Sequence, residues 1–129
     1  MDANWTPDDI QRIDAADELQ IAAERSDGTR WRWTPIWVVC VGDQVYVRTW
    51  YRRDSGWFGH VLKSGRAGIR VPGLQADVVV ENVAADSDPV RASVDAAYRT
   101  KYGRYGIPAV GPMVADAAAA TTLRLTPRA

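Results

Sequence analysis

The stretch from Trp31 to Val41, WRWTPIWVVCV, limits the possible folds more than any other part of the chain. Side chains on a β-strand alternate between two faces, so Trp31, Trp33, Pro35, Trp37, Val39 and Val41 share one of them. The opposite face runs Arg30, Arg32 and Thr34, then Ile36, Val38 and Cys40, polar first and apolar afterwards. A strand covered on one side at its start and on both sides at its end fits the wall of a closed barrel that a second layer partly covers. Gly42-Asp43 supplies a tight turn, and QVYVRTWY returns antiparallel. On that return strand Val45, Val47, Thr49 and Tyr51 face one way, and Tyr46, Arg48 and Trp50 the other.

The flanking segments fit the same architecture. Thr6-Pro7-Asp8-Asp9 opens a helix: a threonine caps the free N–H groups, proline suits the first turn, and aspartates complement the dipole. Next, ELQIAAER reads as a first strand that ends at the turn Ser26-Asp27-Gly28-Thr29. DSGWFGHVLKSG predicts a short helix capped by Asp54 or Ser55 and stopped at Gly65. RAGIRV and QADVVVENV form a second hairpin around Pro72-Gly73. A helix starts at Asp88 and carries Val90, Val94, Ala97 and Tyr98 at helical spacing. GIPAVGP breaks the chain, VADAAAA adds a helical turn or two, and TTLRLTP alternates as a final strand. The expectation is one α+β domain over residues 1–129, a small antiparallel split β-barrel of about six strands with flanking helices.

Composition serves mainly to exclude. The 129 residues suffice for one core, and apolar and charged fractions of 47% and 25% are those of a globular domain. With 16 basic and 16 acidic residues the formal charge is zero, which argues against a nucleic-acid partner. The apolar run Ile36–Val41 is too short to span a bilayer, and the acidic N-terminus does not read as a secretory signal. A single cysteine, Cys40, forms no intrachain disulfide. A cytoplasmic protein with no membrane partner is expected.

Catalytic motifs are sparse. His60 is the sole histidine, so no multi-imidazole metal site is expected. No nucleophile elbow, P-loop or dinucleotide fingerprint is present. What the chain does offer is cationic and aromatic: Arg30, Arg32, Arg48, Arg52 and Arg53 on or beside two paired strands, Lys63 and Arg66 after the short helix, and tryptophans among them. Guanidinium groups flanked by indoles suit a ligand with a planar ring and an anionic tail. The same arginines also suit pairing with Glu24, Asp43 or Asp54 at a wet surface, and the tryptophans suit a core or an interface. Tyr46, Tyr51 and His60 are the candidate proton donors.

RSDGTRWRWTPIWVVCVGDQVYVRTW, GWFGHVLKSGRAGIRV and AAYRTKYGRY together resemble an uncharacterised family, DUF2255, over nearly the whole chain. More distantly, the order of parts is similar to the FMN-binding split-barrel superfamily of deazaflavin-dependent nitroreductases and pyridoxamine-phosphate oxidases. That resemblance implies FMN or a deazaflavin between barrel strands, often at a homodimer interface. Arg32 and Pro35-Ile36 match an arginine placed three residues before a proline–apolar pair. Trp57 and Lys63-Ser64-Gly65 match a tryptophan followed by a helix and a turn. Where the superfamily has a small glycine-containing phosphate loop, this chain has Arg48-Thr49-Trp50-Tyr51-Arg52. The cofactor-binding candidates are therefore Arg32, Pro35, Ile36, Arg48, Thr49, Arg52, Trp57 and Lys63, with Arg32, Arg48 and Arg52 converging on an anion. Six tryptophans in so small a chain also point to a homodimer. Two functions follow: a flavin- or deazaflavin-dependent oxidoreductase, or a non-catalytic module that binds a small aromatic or anionic molecule or only itself.

Overall fold

The computed structural model describes residues 4–49, 56–84 and 88–128. Helix α1 (Pro7–Ala15) begins as its sequence predicts: the Thr6 hydroxyl accepts from the Asp9 N–H at 3.1 Å and the Asp9 carboxylate accepts from the Thr6 N–H at 3.2 Å. Strands β1 (Leu19–Ala23), β2 (Thr34–Ile36), β3 (Val39–Val41) and β4 (Gln44–Val47) follow. After α2 (Gly56–Ser64) come the hairpin strands β5 (Arg66–Val71) and β6 (Leu74–Asn82), then α3 (Asp88–Tyr102), a 3-10 turn over Gly103–Tyr105, α4 (Ile107–Val114), α5 (Asp116–Ala119) and β7 (Leu123–Pro127). The proposed caps Asp54 and Ser55 lie outside the described residues.

These seven strands make one antiparallel sheet in the order β2-β1-β5-β6-β7-β4-β3. Its two edge strands, β2 and β3, are separated in sequence only by Trp37 and Val38. Laid flat, seven strands would span about 29 Å between edges, whereas the link from Ile36 to Val39 reaches roughly 10 Å. The sheet therefore has to curl until its edges meet. The result is a split barrel, with the chain itself stepping across the split.

Alternation survives that step and sorts side chains into two cores. Ile36 and Val38 enter the barrel interior with Leu19, Ile21, Val45, Val47, Ile69 and Leu125. Trp37, Val39 and Val41 pack outward against a second cluster of Tyr46, Val94, Tyr98, Tyr102, Val110 and Met113, supplied largely by α3 and α4. A strand wall covered on both sides over 36–41 is what the sequence pattern implies. Three expectations need correction. The predicted strand is cut in two at Trp37-Val38, which raises the count from about six to seven. Trp31 and Trp33 precede β2 rather than lying on it, in a segment joined to the end of β1 by the Glu24–Arg30 bridge and by the Trp31 N–H, which donates to the Ala23 carbonyl at 2.9 Å. GIPAVGP, read as a break, is most of α4: Gly106 (φ 85) restarts the chain, and burial of Val110 and Met113 outweighs the hydrogen bond that Pro112 removes.

Candidate functional site

The split opens into a cleft of about 1160 Å³. One wall comes from the approach to β2 and from β2 itself, with Trp31, Arg32, Thr34, Pro35, Ile36 and then Trp37. A second comes from α2, whose residues three apart share a face. Trp57 and His60 turn to the cleft, while Phe58 and Val61 turn into the barrel interior. Helix α4 closes a third side with Pro108, Ala109, Pro112 and Met113, and the floor includes Arg48 and Thr49 at the end of β4.

Arg48 fixes this arrangement. Its side chain is fully buried, its Nη1 donates to Asp95 Oδ1 on α3 at 2.5 Å and to the Met113 carbonyl at 3.0 Å, and its Nε donates to Thr122 Oγ1 at 2.8 Å. The Met113 carbonyl belongs to the last turn of α4, where a helix leaves acceptors free and favours a cation. One guanidinium thus ties β4, α3, α4 and the start of β7 together. Its Nη2 is buried without a hydrogen-bond partner. At the neighbouring residue, the Thr49 N–H donates to Thr121 Oγ1 at 3.0 Å.

Arg32 is the opposite case. It is exposed at the cleft and has no hydrogen-bond or ion-pair partner among the described residues. Arg25 lies over the Trp31 ring at 4.2 Å, and Trp31 in turn stacks on His60, with centroids 3.8 Å apart and planes inclined by 13°. Trp33 stands away from the cleft between Arg70 and Arg30, and Arg30 pairs with Asp77.

Of the residues named from sequence, Arg32, Pro35, Ile36, Arg48, Thr49 and Trp57 line this one cleft. Lys63 lies exposed near the end of α2 and is not among the lining residues, and Arg52 falls outside the described residues. The pairing suggested for the strand arginines takes other partners: Glu24 binds Arg128, and Arg48 binds Asp95. Among the candidate proton donors, His60 reaches the cleft, Tyr46 is buried in the second core, and Tyr51 is not described. Sequence reasoning assigned no role here to Arg25, Trp31, Trp37 or the α4 residues. Arg25 and Trp31 sit in the quoted aromatic stretch and could have been found there, whereas a segment read as a break gave no signal for α4.

Other titratable groups have structural explanations. Burial pushes the Cys40 thiol up to about 11, with the Asp14 charge adding to it, so the thiol stays protonated and unreactive near neutrality. Burial likewise raises the Tyr102 phenol and lowers the Lys101 ammonium. Both side chains serve the split: the Tyr102 hydroxyl accepts from the Val38 N–H at 3.0 Å, and Lys101 Nζ donates to the Val38 carbonyl at 2.9 Å. No group of three or more metal-ligating side chains occurs among the described residues, nor any helix long and apolar enough to cross a membrane.

Residues 9–125 match the family model described as uncharacterized protein conserved in bacteria (DUF2255). No curated protein matches. Among solved structures, a conserved hypothetical protein from Mycobacterium tuberculosis superposes with a TM-score of 0.62 at 13% identity, covering 99% of this chain and 82% of the other. The heme storage protein HutZ from Vibrio cholerae gives 0.61 at 13% identity, with coverage of 98% and 92%. A NimC/NimA family protein from Clostridium acetobutylicum gives 0.53 at 14%, with coverage of 92% and 78%. At these identities the likeness establishes a shared fold, the split barrel.

Proposed function

The chain belongs to the DUF2255 family of uncharacterised bacterial proteins, and we propose that its cleft binds a flavin-type cofactor, FMN or a deazaflavin, as an oxidoreductase. One observation carries this reading: the cleft joins an exposed guanidinium, Arg32, unpaired among the described residues, to the indoles of Trp37 and Trp57. Indole faces offer stacking area to a fused planar ring, and a guanidinium offers a two-pronged grip to a phosphate or carboxylate. The donor set fits such a group. Arg25 and Arg32 supply positive charge at the mouth, and the buried, unpartnered Nη2 of Arg48 leaves one donor for a ring carbonyl. When bound, the ring would supply the hydride chemistry. The protein's part is to orient it, to shield it from water with α4, and to offer the His60 imidazole at the cleft wall as a proton donor.

Arg32 carries the anion grip in this reading. Arg48, spent on Asp95, Thr122 and Met113, holds the floor instead. Titration with FMN and with a deazaflavin, followed by absorbance and fluorescence, tests the proposal: saturable binding by the wild type is expected. Arg32→Ala should lose about 1.5–3 kcal/mol of binding, roughly a tenfold to hundredfold loss of affinity. No binding of either compound rejects it.

A second reading, a non-catalytic module for a small aromatic molecule, draws on the Glu18 carboxylate at the same cleft and on the commitment of Arg48 to Asp95. Both weaken the attraction for an anion. Saturable binding without turnover of a reduced nicotinamide or other hydride donor would select it. A homodimer goes with either reading. Trp31 and Leu62 keep 39% and 44% of their surface exposed and Ile107 keeps 83%, apolar surface that a twofold partner would cover. Sedimentation equilibrium at micromolar concentration should give twice the chain mass, and a monomer would dismiss the partner.

A further inference from the structure

Trp37 stands where the cleft meets the second core, and its neighbours form a continuous aromatic stack. Its ring lies on Tyr102 with centroids 4.0 Å apart and planes within 2°. Tyr105 follows at 5.7 Å from Trp37 and 6.2 Å from Tyr102. Tyr102 is fully buried, whereas Tyr105 is 45% exposed. We propose that Trp37, Tyr102 and Tyr105 form a relay that carries one-electron oxidising equivalents from a ligand in the cleft to the protein surface.

Proton placement at the two tyrosines separates bridge from terminus. A phenol gives up an electron readily only when its proton can leave at the same time. The Tyr102 hydroxyl faces the Asp17 and Val38 carbonyl oxygens, at 2.8 and 3.1 Å, and neither is a base. Lys101 Nζ also lies 5.4 Å from the Tyr102 ring centre and disfavours positive charge there. Tyr105, by contrast, donates to the Asp17 carboxylate, which also pairs with Arg104. The Tyr105 hydrogen bond, aided by Arg104, holds Asp17 below the usual carboxylate range and therefore ionised. A guanidinium over the Tyr105 ring at 4.7 Å opposes a cation there, so the electron has to leave together with the proton.

A one-electron oxidant in the cleft, an electron-poor aromatic ligand in its photoexcited state, takes one electron from the Trp37 indole and becomes a radical anion. An electron from Tyr105 refills Trp37 across the stack as the Tyr105 O–H bond breaks and its proton passes to Asp17. This leaves a neutral tyrosyl radical at the surface. A soluble reductant of the thiol or ascorbate class returns the electron, and Asp17 returns the proton. Such a route drains stray oxidation from a redox site into solvent.

The test needs no natural ligand, so it stands apart from flavin binding. A ruthenium polypyridyl photosensitiser is attached to the cleft through Ala109→Cys in a Cys40→Ala background and oxidised by flash-quench, with tyrosyl radical followed by transient absorption and electron paramagnetic resonance. A tyrosyl radical that ascorbate quenches is expected. Tyr105→Phe should abolish it, and Trp37→Phe and Asp17→Asn should each slow its formation at least tenfold. Absence of the radical, or an unchanged rate in Trp37→Phe, overturns the relay. If Trp37→Phe does not fold, the exposed Tyr105→Phe decides alone: a persisting radical of the same yield overturns it.

Discussion

The barrel interior and the layer outside it share one stretch of chain, residues 36–41, yet they are built on different chemistry. Inside, Ile36 and Val38 meet Leu19, Ile21, Val45, Val47, Ile69 and Leu125, side chains that ask for nothing but exclusion from water. Outside, Trp37 and Val39 meet Tyr46, Tyr98 and Tyr102, with Arg48 and Lys101 at the margin. That second layer carries polar atoms because the split creates polar demands. Val38 lies between two strands that belong to opposite edges of the sheet, and its N–H and carbonyl are met by Tyr102 and Lys101 instead of a ladder. The aliphatic interior supports the barrel, whereas the polar layer fixes where the barrel opens, and the cleft is there.

Substitutions in the two layers should differ in kind as well as size. The largest effect is expected at Arg48. Arg48→Ala leaves the partly buried Asp95 with only its longer ion pair to the half-exposed Arg91, at 3.6 Å, and should cost about 3 kcal/mol or somewhat more, read as a shift in the urea midpoint. Combining Arg48→Met with Asp95→Leu should recover much of that loss, and a double variant as unstable as the single would show that the pair is not what binds α3 to β4. Next comes the interior: Ile69→Ala or Leu125→Ala should lose about 2–5 kcal/mol, while the affinity of the folded fraction for FMN stays unchanged. A changed affinity would mean that the two layers are not separable.

Tyr102→Phe sharpens the contrast further. It removes no apolar volume but strips the Val38 N–H of its acceptor, so a loss of about 1–3 kcal/mol is expected, with faster amide exchange at Val38. Smaller still is Arg32→Ala, which should change stability by less than about 0.5 kcal/mol and act on ligand affinity alone. The smallest effect concerns acid. Asp17 titrates below its unfolded value of 3.8, so its contribution is present above that value and fades as pH falls through the lower, folded one. Asp17→Asn should therefore lower the melting temperature slightly near neutrality, by about a degree or two, with the two profiles converging at low pH so that the acid limb is flatter. An unaltered limb would remove Tyr105 and Arg104 as the cause.

Much of this was legible in the residues. Thr6 and Asp9 announce α1, Gly42 and Pro72-Gly73 mark the two hairpin turns, and the alternation along 36–41 already implies a wall covered on both sides. Six of the eight candidate site residues line one cleft because β2, the end of β4 and α2 carry them there. Arg48 could be picked out as a strand cation but not as a buried one. Its partners Asp95, Met113 and Thr122 lie 47, 65 and 74 residues away along the chain.

By itself, then, the sequence determined the elements governed by local rules: caps, turns, the period-two alternation of strands, and the excess of indole and guanidinium groups around one hairpin. Three features waited for the tertiary structure. They are the break of the long strand at Trp37-Val38, the helix formed by Ile107–Val114 despite Pro112, and the division of the arginines into one buried strut and one free group at the cleft. Each depends on contacts between residues far apart in the chain. Curling the sheet brings both edges to one link, where Tyr102 and Lys101 meet the Val38 N–H and carbonyl that the break leaves without a ladder. Burial of Val110 and Met113 outweighs the propensity of a proline-containing segment. An arginine's worth depends on whether a carboxylate reaches it, and that depends on where α3 packs.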